Sequence, residues 1–241
     1  MKKTLLFLFL ISLVGCNQNP KTNIAPWVAY DESQELEAAQ KNKSSKMRYR
    51  LIQSKVSNKN DLWKSIEPQI QSFTQQDYLS LKPLILEQNI PTLQAHIKEG
   101  LLTYEKLTQW YLCRIVLFEN DSIQALNSVI SIHPDAVKIA REKDLNKSAE
   151  NHPVYGIPIL LKDNINVADL PTTAGAEMLK TNLADNAFIV ERLQEKGAVI
   201  LGKTNLSEWA NYLCKGCPNG YSAVGGQTLN PYGKRVFDTG G

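Results

Sequence analysis

A chain of 241 residues, 43% hydrophobic and 21% charged, is long enough to enclose a sizeable apolar core, and its composition excludes disorder throughout. Lysine and arginine number 27 against 24 aspartate and glutamate, and setting aside Lys2 and Lys3 in the first segment lowers the basic count to 25, close to neutrality. No polycation is present, so the charge balance gives no reason to expect a nucleic-acid partner.

The first segment reads Met1-Lys2-Lys3, an apolar run from Leu5 to Val14, then Gly15-Cys16. This is the order of a signal peptide: a charged start, an apolar stretch and a small residue at the cut. It is too short to span a bilayer. Leu13-Val14-Gly15-Cys16 resembles the lipobox of bacterial lipoproteins, which implies cleavage before Cys16 and lipid on its sulfur. Acyl chains there would hold the protein on a membrane. Asn17 stands where an aspartate would resemble an inner-membrane retention signal, so the expected place is the outer membrane, facing the periplasm. A plain secretory signal with an incidental cysteine is the alternative. Residues 17–60 are polar, with Lys41, Lys43 and Lys46 among asparagine and serine, and read as a solvated tether. The expected organisation is a signal peptide over 1–15, a lipidated tether with the first helices over 16–75, and a body over 76–241.

Helical spacing begins at 79–86 and resumes at Leu93, with Gly100 as a stop. Thr103 is placed to cap a helix with the apolar stripe Leu107, Tyr111, Ile115 and Phe118. Residues 129–132 read as a short extended piece. His133-Pro134-Asp135 opens another helix, with Pro134 near its first position, where a missing N–H is harmless. The pattern changes at Ile157-Pro158-Ile159-Leu160-Leu161, an apolar run that reads as a buried strand ending at Lys162 and Asp163. A helix over 186–196, with an Ile189, Val190, Leu193 stripe and a stop at Gly197, leads to a second apolar strand at 198–201. Asn205-Leu206-Ser207-Glu208 has the form of a capping box, so another helix is expected there. Strand, helix, strand, helix points to an α/β fold with parallel neighbours. Of the later cysteines, Cys113 stands alone. Cys214-Lys215-Gly216-Cys217 allows a local disulfide, two thiols or half of a zinc site, and no second pair completes the last.

A lysine at the end of a buried strand is placed to lose its proton, because desolvation disfavours the ammonium. Lys162 is therefore a candidate base. On spacing alone, pairing with Asp163 or exposure to solvent is the commoner fate of such a residue. The hexapeptide from Gly220 to Gly225 suggests a nucleophile elbow around Ser222, but valine occupies position 224, where G-x-S-x-G needs glycine. Ser222 thus reads as a loop hydroxyl near a substrate cleft. Lys203 also follows an apolar strand and reads as structural. His96, His133 and His152 have no triad-like setting.

Gly156-Ile157-Pro158-Ile159-Leu160-Leu161-Lys162-Asp163-Asn164-Ile165, with Pro171-Thr172-Thr173-Ala174-Gly175 after it, resembles the amidase signature family's block around its catalytic lysine. The stretch from Gly197 to Trp209, that from Gly225 to Tyr232, and the helical front from about Leu93 extend the likeness to Gly241. The resemblance implies a mixed sheet flanked by helices. It also implies hydrolysis of an amide carbon–nitrogen bond in a small-molecule substrate, with no metal or organic cofactor. The family uses a nucleophilic serine, a second serine in a cis peptide, and a lysine, which Lys162 matches. Two glycines precede the family's paired serines, and here Gly240 and Gly241 match those glycines. Both serines are then expected after Gly241, leaving the sheet incomplete, the oxyanion loop unfinished and residues 1–241 inactive alone. Two other readings stay open: a membrane-tethered binding protein with a degenerate amidase fold, and the glutamine-dependent transamidase component of the same family. The exported leader argues against the second.

Overall fold

A computed structural model describes residues 24–43, 45–48, 52–148, 151–212 and 219–232. Cys16, Cys214, Cys217, Gly240 and Gly241 lie outside them. The described residues begin with two short helices, α1 (Ser33–Ala39) and α2 (Ser45–Arg48). Residues expected to form only a tether are in part packed on the body. Ile24 joins the main core and Ile52 is 2% exposed. Glu32 is buried and accepts hydrogen bonds from the backbone N–H of Ile52 and of Gln53, both at 3.0 Å. A few apolar anchors in a polar stretch are enough to hold it down.

Helices α3 (Lys59–Ile70), α4 (Gln75–Ile85), α5 (Ile90–Lys98) and α6 (Tyr104–Glu119) follow. Each starts at a residue whose side chain accepts from the first turn: Asn58, Thr74, Asn89 and Thr103. These caps satisfy N–H groups that have no intrahelical partner. Thr103 takes Lys106 N–H at 3.0 Å, as its position suggested. Gly100, expected as the stop of α5, has φ +76, a conformation glycine adopts without strain. The centre of this helical layer is Trp110, which is fully buried, stacked on Tyr78 at 4.9 Å, and donates through Nε1 to the Tyr78 carbonyl at 3.0 Å. The Cys113 thiol is buried on the same helix, and burial pushes its pKa up to about 11.

Strand β1 (Val129–Ile132) leads to α7 (Ala136–Leu145), then β2 (Pro158–Lys162), α8 (Phe188–Glu195) and β3 (Val199–Thr204). The sheet order is β1-β3-β2, with β2 parallel and β1 antiparallel to β3. The sheet is therefore mixed, and the parallel arrangement expected from the strand–helix alternation holds for β2 and β3. Pro134 differs from its expected place: Asp135 is the N-cap of α7, so the proline precedes the helix. Ile189 also departs from its expected stripe, being 53% exposed, while Val190 is fully buried against Leu161, Val167 and Ile200.

Gly202 makes the β1–β3 contact possible. A Cβ there would lie 2.1 Å from the Ser131 carbonyl oxygen. The chain beyond β3 forms a short turn of 3₁₀ helix at Glu208–Asn211 and a small hairpin, β4 (Tyr221–Ser222) with β5 (Gly226–Gln227). Among the described residues no helix is long and apolar enough to cross a membrane.

Candidate functional site

The C-terminal ends of β2 and β3 bring together the residues singled out around Lys162. Lys162 pairs in register with Thr204. Its side chain is exposed, and no described residue makes a hydrogen bond or ion pair with it. The desolvation expected at Lys162 from the apolar run before it is thus absent, because β2 stays half-buried until Leu161 and emerges at Lys162. The desolvated lysine is Lys203, at 0% exposure.

Lys203 Nζ lies 3.3 Å from Asp163 Oδ1 and donates to Thr172 Oγ1 at 2.9 Å. Asp163 is 1% exposed, and its second oxygen, Oδ2, accepts from the Thr173 N–H at 3.2 Å and from the Thr173 hydroxyl. Burial dominates both partners. It raises the Asp163 carboxyl above its ordinary value and lowers the Lys203 ammonium below its own, each opposed by the attraction of the other. The backbone of Asp163 is held as well: its N–H donates to the Thr204 carbonyl at 3.1 Å and its carbonyl accepts from the Ala174 N–H at 2.8 Å. The structural role expected of Lys203 is what its surroundings describe.

Ser222, expected in a loop, sits in the hairpin instead. It lies in β4, fully buried. Its hydroxyl donates to Asn205 Oδ1 at 2.7 Å and accepts from the Gly225 N–H at 2.9 Å. Gly175 packs against it so closely that a Cβ there would come within 2.5 Å of the Ser222 Cβ. Both hydrogen bonds of the hydroxyl are thus made within the fold.

The capping box expected at Asn205 is also overturned. Asn205 Nδ2 donates to the carbonyls of Asn127 at 2.9 Å and Gly226 at 3.2 Å, while Glu208 accepts from the Ala223 N–H at 2.8 Å. Asn205 is the hub joining β1, β3 and the hairpin. Nothing in the sequence marks it as such, since the same four residues read equally well as a helix start.

A cleft of about 340 Å³ opens beside β1. Val129, Ile132, Leu62 and Leu170 supply apolar walls, and Asp163 and Thr173 reach its inner side. Its size is within the range that small molecules occupy. Lys162 is not among the residues that line it. Among the described residues no three His, Cys, Asp or Glu side chains gather as a metal site would need.

A family model described as Amidase matches residues 107–241, more than half of the chain. The chain belongs to the amidase family. A protein named probable amidase from Arabidopsis thaliana is 41% identical over 154 residues, which cover 61% of this chain and 29% of that protein. A glutamyl-tRNA(Gln) amidotransferase subunit from Lawsonia intracellularis is 40% identical over 108 residues, 44% of this chain and 21% of its own. Among solved structures, an amidase family protein from Bacillus anthracis superposes with a TM-score of 0.72 at 41% identity, over 76% of this chain and 37% of that one. A peptide amidase from Stenotrophomonas maltophilia gives 0.59 at 45% identity, over 62% and 31%. The chain thus spans between about a fifth and two fifths of the length of these relatives. The mixed sheet flanked by helices, expected from the resemblance, is the fold of this family.

Proposed function

We propose that these residues form the lysine-bearing part of a site that hydrolyses amide carbon–nitrogen bonds, with Lys162 as the base. Membership of the amidase family across residues 107–241 carries this reading. In the proposed reaction Lys162 takes a proton, through a bridging serine, from a nucleophilic serine that attacks the amide carbonyl. The carbon–nitrogen bond then breaks, the departing nitrogen receives the proton, and water releases the acyl group from the serine. In the family the two serines follow a pair of glycines, which Gly240 and Gly241 match. Burial of the exposed Lys162 against the segment bearing those serines would supply the desolvation absent in the described chain.

The test is ammonia release from a panel of simple and peptide amides. It uses residues 1–241 and the longest product of the encoding reading frame. Activity confined to a longer product and removed by Lys162→Ala supports the reading. Undiminished release by the Lys162→Ala variant overturns the role given to Lys162. The likeness to an amidotransferase component supports a second reading, in which the amide cleaved is that of glutamine and the ammonia is passed on. Glutamine as the sole active amide in the panel would favour it. The Cys16 lipid anchor is a separate proposal: cells expressing the chain should incorporate radiolabelled palmitate into it, and Cys16→Ala should abolish the label.

A further inference from the structure

Lys162 and Asp163 are adjacent residues of opposite charge, yet they face different surroundings. The ammonium is in solvent, while the carboxylate is 1% exposed and held by Lys203, with Thr173 on its other oxygen. We propose that Lys203 is a positioning residue for Lys162: by capturing the Asp163 carboxylate inside the fold, it prevents the residue next to Lys162 from pairing with its amine. The proposal rests on Lys162 being the base.

Without Lys203, Asp163 would have no cation beside it among the described residues. Its neighbours Thr172 and Thr173 are uncharged, and Lys203 is the one cation acting on it among the described residues. The charge acting on Lys203 is likewise that of Asp163. His133, at the end of β1, faces Asp169 and Asp135 instead. An ionised carboxylate buried without a cation is costly, and turning outward to the ammonium on the preceding residue relieves that cost. Paired there, Lys162 would hold its proton more firmly and present less free amine. A base that works by taking a proton needs the opposite. One buried lysine thereby keeps the exposed one unpaired.

Competitive acetylation of the full 241-residue chain by a trace of acetic anhydride, resolved by mass spectrometry, reads the free amine at each lysine without any need for catalysis. Lys59 is the internal control of folding, since its ammonium is held by Glu119 Oε2 and the Glu119 carbonyl, each at 2.9 Å. In Lys203→Met the Lys162 rate should fall by about tenfold, the effect of one unit of stabilisation by a neighbouring carboxylate. Lys203→Arg should keep the rate near that of the unaltered chain. Lys203→Met with Asp163→Asn should restore it.

An unchanged Lys162 rate in Lys203→Met, with Lys59 still slow, overturns the proposal. So does a fall that Asp163→Asn does not reverse. If Lys59 becomes fast, Lys203→Met has unfolded the chain. Lys203→Gln, which keeps a hydrogen-bond donor in place of the charge, then decides by the same two criteria. Failure of the amide panel leaves this measurement intact, and failure of the labelling leaves the panel intact.

Discussion

The helical layer from α3 to α7 and the strand-end cluster around Asp163 are both buried, and opposite physics holds them. The first encloses Ile66, Ile70, Ile85, Leu107, Trp110 and Leu112, all fully buried apolar side chains. Their attraction is non-directional and scales with area, so a neighbouring side chain can shift and leave much of it intact. The second holds Lys203, Asp163, Thr172, Thr173, Asn205 and Ser222 through hydrogen bonds and one ion pair. Here each group depends on a specific partner, and removing one member strands another. A helical layer of this kind tolerates change in proportion to the atoms removed, whereas the cluster fails by steps.

The sharpest way to break the helical layer is Trp110→Ala, which removes its largest fully buried side chain and the hydrogen bond to Tyr78. A loss of about 4 kcal/mol is expected in urea unfolding of the full chain. Lys203→Met should cost nearly as much, about 3 kcal/mol, although it replaces a side chain by one of similar size, because Asp163 loses its buried cation and the cluster around it must rearrange. Joining it to Asp163→Asn should recover most of that loss. Two equal single and double losses would mean that the cluster behaves like the apolar layer, and the contrast would fail.

The two four-residue patterns that resemble helix starts offer a finer test. Thr74 and Asp77 form a true capping box, with Thr74 N–H on Asp77 Oδ2 at 2.9 Å and Asp77 N–H on Thr74 Oγ1 at 3.1 Å. Thr74→Ala should cost about 1 kcal/mol, as an ordinary cap does. Asn205→Ala should cost about 2 kcal/mol, since it strands the Ser222 hydroxyl and two buried carbonyls. Equal losses would return Asn205 to the role of a cap.

The smallest effect expected is on pH dependence. Burial is the chief influence on His133 and lowers its pKa below 6.5, against the opposing pull of Asp169 and Asp135. A folded value below the unfolded one means that its contribution to stability is complete above the unfolded value and is lost as pH falls through the folded one. Stability by urea unfolding should therefore decline as pH falls below the ordinary histidine value of about 6.5, and His133→Gln should flatten the decline. An unaltered slope in the variant would place the titrating group elsewhere.

What could be read in advance follows from the same contrast. Apolar residues three and four apart, with Gly100 and Thr103 as punctuation, mark helices because periodic burial is a local property of the chain. The apolar runs before Lys162 and Lys203 mark strands for the same reason. Thr74 and Asp77 carried a usable signal that the apolar spacing starting at Leu79 obscured. Ser222, Asn205 and the fate of the two strand-end lysines were not legible, because each depends on segments brought together from distant parts of the chain: residues 52–54, 127, 172–175 and 222–226.

The amino-acid order by itself therefore determined the succession of helices and strands, their apolar faces, and the motifs by which the chain belongs to the amidase family. Only the tertiary structure decided which of two similar lysines is desolvated and which faces solvent, that Ser222 is an interior hydroxyl, and that Asn205 joins strands instead of starting a helix. The reason is physical. Burial of an apolar side chain can be inferred from its spacing, but the state of a polar or charged one depends on which groups surround it, and those are assembled only when the chain folds.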